Sequence, residues 1–157
     1  MMAFYNAALS EEALTHQKEV LITTICPFLP DSNGCSSGVM TWWDKVAAAL
    51  FTETAAARVC QGLDGSCSLE KAWDCDTCKF ELVRVAALYS NPSALLEISG
   101  AMSGPLFCTS PDLALDAGQV TFCQEMMRLF LPTALTTIFT EVAATADFHC
   151  NDVFGLC

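Results

Sequence analysis

Apolar side chains advance by threes and fours along the second half of this chain. From Cys75 the run Cys75, Cys78, Leu82, Val85 and Tyr89 forms one stripe, with Asp76, Lys79 and Arg84 off it, which is the pattern of an amphipathic helix. Asn91-Pro92 supplies a capping side chain and then a residue suited to a first helical position, opening a second helix through Leu95, Leu96 and Ile98. Ser110-Pro111-Asp112 repeats that signal before a third helix, whose stripe is Val120, Cys123, Met127 and Phe130. Pro132 divides it from a fourth carrying Leu135, Ile138, Phe139 and Val142, and a short last helix or turn holds Phe148 and Cys150. Gly100 and Gly104 interrupt the second helix near its end, where glycine costs roughly 1 kcal/mol relative to alanine; they mark either a hinge or simply the helix end.

The first half has one comparable stripe, Val39, Trp43, Val46 and Leu50. Its cysteines expose a partial repeat: Cys26 and Cys35, a helix, then Cys60 and Cys67 parallel Cys108 and Cys123, a helix, then Cys150 and Cys157. The reading is therefore all-α, built of two small units. Ten cysteines in 157 residues suit that reading, because small units that bury little apolar area are commonly stapled by disulfides in oxidising compartments. A secreted, lysosomal or other lumenal location is expected.

Composition narrows the function. Hydrophobic residues make up 53% of the chain and charged residues only 16%, more apolar material than two tiny cores would hide. Eighteen acids against seven bases give a net charge of −11, so no basic footprint for nucleic acid exists. No apolar run approaches the ~18 residues that a spanning helix needs. Met1 to Ser10 lacks the basic start and apolar core of a secretory leader, which reads as a mature product.

Candidate chemistry is sparse. Cys75-Asp-Thr-Cys78 could serve as a redox dithiol or half a zinc site, but neither a βαβ context nor a second nearby pair accompanies it, and structural disulfides are the expectation. The two histidines, His16 and His149, have no evident nucleophile partner, and no G-x-S-x-G elbow occurs. His16 is expected to face solvent on a polar helix face, and His149 to sit beside a bridged cysteine. No catalytic residue, metal or cofactor is therefore expected, and the chain reads as non-enzymatic. Trp43 fits the buried stripe, whereas its neighbour Trp42, turned about 100° away, either helps bury the junction of the halves or meets a membrane or partner. Met126, Met127 and Phe130 are expected in the core, with an adaptable acyl-chain lining as the other reading.

Taken together, the six cysteines from Cys75 to Cys157, the helices between them and the stretch RLFLPTALTTIF resemble the saposin-like (saposin B-type) family over the whole of 75–157. The resemblance implies first-to-sixth, second-to-fifth and third-to-fourth pairs: Cys75–Cys157, Cys78–Cys150 and Cys108–Cys123. In the first half EEALTHQKEVLITTICPFLPDSNGC resembles a second helix of that family and AARVCQGLDGSC its closing pair, but the opening C-x2-C helix is missing. Both closing pairs are one residue wider than the family's spacing, a shared departure that supports duplication. The orphaned Cys60 and Cys67 can bond each other, helped by Gly62 and Gly65, with Cys26–Cys35 as a second local bridge. They can instead bond Cys78 and Cys75, which strands Cys150 and Cys157, or bond another polypeptide. The first solution is favoured.

The implied organisation is a truncated saposin-like unit at 1–68, a linker at 69–74 and a saposin-like domain at 75–157. The implied function is lipid binding or membrane interaction, with acyl chains against Leu82, Val85, Leu95, Ile98, Met127, Phe130, Ile138 and Val142, through a monomer or homodimer. Engagement is expected to strengthen at acidic pH, as charge repulsion from anionic bilayers fades near the sequence pI of about 4.3. The alternative is an accessory subunit whose incomplete first unit leaves an apolar face for a protein partner.

Overall fold

The computed structural model describes residues 8–51, 74–153 and 155–157. Helix α1, Glu11–Thr24, starts where the Ser10 hydroxyl accepts from the Ala13 amide at 3.2 Å, and the acids Glu11 and Glu12 in its first turn complement the helix dipole. After a 3₁₀ turn, Cys26–Phe28, the Asp31 carboxylate accepts from the Gly34 amide at 2.8 Å and opens α2, Ser32–Leu50. A β-carbon at Gly34 would lie 2.1 Å from an Asp31 carboxylate oxygen, so a larger residue there would displace the capping side chain. The Cys26–Cys35 bridge closes the turn. Gln17 of α1 ties the pair together: its side chain accepts from the Trp43 indole at 2.9 Å and donates to the Ala8 carbonyl at 3.0 Å. Lys18 and Asp44 form an ion pair between the same two helices.

Helix α3, Cys75–Tyr89, is capped by Asp74, and α4, Pro92–Ser103, by Asn91 with Pro92 at its first position, as the sequence predicts. Gly104 ends α4, whereas Gly100 lies inside it. The third helix of the C-terminal half starts later than expected. Ser110 caps only a 3₁₀ turn, Pro111–Leu113; α5, Ala117–Leu129, begins at Asp116, whose carboxylate and the Gln119 side chain form a reciprocal capping box. Phe130 alone separates α5 from α6, Leu131–Ala144, with Pro132 in the first turn where its missing N–H costs nothing. One helical turn, α7, Ala146–Phe148, runs into a π-helical turn, His149–Val153. No strand occurs among the described residues.

The packing follows the stripes. Helix α3 lies along α6, α4 along α5, and α1 against both α2 and α6. A single hydrophobic cluster includes Leu21, Trp43 and Leu50 from the first half with Leu82, Tyr89, Leu131 and Leu135 from the second. Tyr89 stacks on Phe139 at 4.1 Å between ring centroids, and Phe51 meets Phe139 edge-on at 6.3 Å. Two bridges, Cys75–Cys157 and Cys78–Cys150, fasten the start of α3 to the C-terminal turn, and Cys108–Cys123 fastens the loop after α4 to α5. These are the pairs that the resemblance implied. Cys60, Cys67 and positions 69–73 of the expected linker lie outside the described residues. The four disulfides among the described residues indicate an oxidising, extracellular or lumenal environment. No helix among the described residues is long and apolar enough to cross a membrane.

Among the described residues one buried polar side chain is unsatisfied. The Ser99 hydroxyl on α4 has no hydrogen-bond partner, although the side chain is buried. Leaving a buried hydroxyl unpaired costs about 1–3 kcal/mol. Ser99→Ala is therefore expected to raise the unfolding free energy by about 1 kcal/mol in urea titration, and a loss of stability would show that the hydroxyl has a partner in solution.

Candidate functional site

An apolar groove of about 910 Å³ lies between α2 and α5. Val39, Trp42, Trp43 and Val46 line it from α2, and Phe122, Met126 and Met127 from α5, with Phe107, Phe130 and Leu131 beside them. The helical spacing explains why. Phe122, Met126 and Phe130 stand at i, i+4 and i+8, a second apolar stripe next to Cys123 and Met127, so α5 presents a wide apolar face that α4 and α6 do not fully cover. Phe122 is 65% exposed and Trp42 is 42% exposed, which leaves the groove open along one side. Two methionines among the aromatics give a lining that adapts to the shape of its contents.

Charge is nearly absent from the lining. Among the described residues Asp31 is its one ionisable side chain, and that carboxylate is engaged by the Gly34 amide. Lys45 stands beside the rim with its ammonium 4.9 Å from the centroid of the Trp42 ring, a cation–π contact. Among the described residues the lining is thus almost wholly apolar.

The residues expected to bind acyl chains divide between two places. Met127 and Phe130 line the groove. Leu82, Val85, Leu95, Ile138 and Val142 are buried in the shared core, and Ile98 packs partly buried against it. Trp42 lies on the groove, while Trp43 combines the groove wall with its bond to Gln17. Phe122 was the residue that sequence reasoning missed; its place four residues before Met126 was the available signal.

A second cavity, of about 660 Å³, lies where α1 crosses the C-terminal end of α6. His16 does not simply face solvent: its Nε2 lies 3.1 Å from Glu141 Oε2, and its ring centroid is 5.7 Å from that of His149. His149 is only 5% exposed, and its Nδ1 lies 3.0 Å from the Thr145 carbonyl and 3.1 Å from the Thr145 hydroxyl. The same hydroxyl lies 3.2 Å from Glu141 Oε1. The chain's two histidines, distant in sequence, are therefore neighbours around one carboxylate.

Comparison with protein-family models, with curated proteins and with solved structures finds no match to this chain.

Proposed function

We propose that this protein is a non-enzymatic, saposin-like lipid binder that takes the apolar part of a lipid into the groove between α2 and α5. The observation that carries the reading is the lining itself: an open channel of about 910 Å³ walled by tryptophan, phenylalanine and methionine with a single carboxylate. Its volume falls in the range of about 300–1,000 Å³ typical of small-molecule sites. The nested bridges and helical stripes support the family resemblance, whose members bury acyl chains against amphipathic helices. Because no cation among the described residues lines the groove, the buried part of the ligand is an uncharged hydrocarbon, with any headgroup left in water near Lys45 and Trp42.

Native mass spectrometry of the oxidised protein is expected to show lipid adducts. Phe122→Asp places a charge on the groove wall at an exposed position, so the fold is kept while apolar contact is lost. Loss of one buried phenylalanine contact, about 1.5–3 kcal/mol, predicts roughly 10- to 100-fold weaker binding of a fluorescent lipid. Unchanged affinity in Phe122→Asp, or a wild-type protein that takes no lipid, refutes the reading. On anionic liposomes the −11 charge predicts weaker association at pH 7 than at pH 4.5, and equal association at both removes the acid-dependent part of the proposal.

A second reading rests on a different surface. Phe80 and Val83 on α3, Leu96 on α4 and Leu129 on α5 are all exposed, more apolar surface than lipid in the groove would cover. It makes the chain an accessory subunit with a protein partner. Purification from the native source as a lipid-free protein with one partner in fixed stoichiometry would favour it over the lipid binder.

A further inference from the structure

We infer that His16, Glu141 and His149 form a binding site for a divalent transition-metal ion of the zinc class. His16 and His149 line the second cavity, Glu141 lies beside them, and the site is independent of the apolar groove. One ring nitrogen from each histidine and a Glu141 oxygen all lie within 4.8 Å of one another. Tetrahedral zinc with bonds of about 2.0–2.2 Å sets neighbouring ligand atoms about 3.4 Å apart. The His16–Glu141 edge, at 3.1 Å, is already close to that length. Small side-chain movements would close the others.

The donor set selects the metal. Two imidazoles and one carboxylate suit zinc and its transition-metal neighbours, whereas calcium and magnesium require mostly oxygen. The backing is also present. A carbonyl oxygen can only accept, so the contact with Thr145 places the proton of the neutral His149 ring on Nδ1 and its lone pair on Nε2. The Thr145 hydroxyl stands against both the Glu141 carboxylate and the His149 ring. One residue thus orders two ligands, as outer-shell partners do in metal sites. Glu11, Glu12 and Glu19 line the same cavity and bias it towards cations. Three protein ligands leave a fourth position for water from the cavity. A bound ion would clamp α1 to α6 and the C-terminal turn, a non-covalent counterpart to the disulfides.

The test uses the full chain with its disulfides intact and free thiol shown to be absent by titration. Zinc titrated by calorimetry is expected to bind once per chain in the micromolar range, and cobalt(II) to give visible d–d bands of a four-coordinate site. His16→Gln and Glu141→Gln, both at part-exposed positions, are expected to weaken zinc by about 100-fold or more, beyond the 10- to 100-fold typical of outer-shell changes. Absence of saturable zinc binding in the wild type overturns the inference, as does wild-type affinity in either variant. Should a variant fail to fold, zinc protection of the part-exposed wild-type His16 from diethyl pyrocarbonate provides the second readout. Protection of His16 supports the site; His16 reacting at the metal-free rate overturns it.

Discussion

Removing the bridges Cys75–Cys157 and Cys78–Cys150 together is expected to cost about 7 kcal/mol, while removing either alone costs about 3. The two bridges close nested loops with sequence separations of 82 and 72 residues. If each acted alone, chain entropy would assign each about 4.5 kcal/mol. They do not act alone, because either one already holds the start of α3 near the C-terminal turn in the unfolded chain. Once one bridge exists, the other closes only a small ring, about ten residues from the difference between 82 and 72, worth about 3 kcal/mol. The large loop is released only when both are gone. The double variant should therefore lose about 1 kcal/mol more than the summed single losses, a coupling that a double-mutant cycle reads directly. Against the 5–15 kcal/mol typical of a folded domain, a loss of 7 leaves most such chains largely unfolded. Urea titration of the two single-bridge variants and the double variant checks this. Single losses above 4 kcal/mol that add without coupling would show that the bridges constrain separate parts of the unfolded ensemble. Cys78 and Cys150 are fully buried, so alanine is the better replacement at those two positions.

Much of this helical organisation was legible because it is local. The stripe from Cys75 to Tyr89 and the Asn91-Pro92 start depend on residues within one or two turns, and the structure places α3 and α4 there. The start of α5 was misread for a physical reason: a serine followed by proline caps a single 3₁₀ turn as well as it caps a helix, and the decisive signal was the Asp116–Gln119 capping box six residues on. The groove was harder to read because its walls come from α2 and α5, and no local pattern states that two helices from different halves leave a gap. Phe122 shows the limit well. Its apolar spacing with Met126 was visible, but only the placement of α2 turns that face into a channel. His16 and His149 were unreadable as a pair, since 125 residues separate His16 from Glu141 and only the crossing of α1 over α6 brings them together.

The junction of the halves gives the other large effect. Phe139→Ala is expected to lower stability by about 3–5 kcal/mol, the usual cost of emptying a buried phenylalanine site. Phe139 is 2% exposed, stacks on Tyr89 of α3 and meets Phe51 at the end of α2 edge-on. Alanine there would lose both ring contacts and leave a void between elements from opposite halves of the chain. Aromatic pairs contribute about 0.5–1.5 kcal/mol beyond area burial, so Phe139→Leu, which fills much of the space without the stacking, should recover more than half of the loss. Val83→Ala, on the exposed face of α3, serves as the control and should stay within about 0.5 kcal/mol of the wild type. Denaturation followed by tryptophan fluorescence and by helical circular dichroism separates two explanations of the loss. Trp42 and Trp43, two of the chain's three tryptophans, report on α2, and the circular dichroism signal comes from all the helices, including the four longer helices of the second half. Coincident transitions in the wild type and in Phe139→Ala mean that one core spans both halves and weakens as a unit. If the variant instead shows α1 and α2 melting first, Phe139 is the contact through which the second half holds the first, and the groove formed between α2 and α5 would open with it.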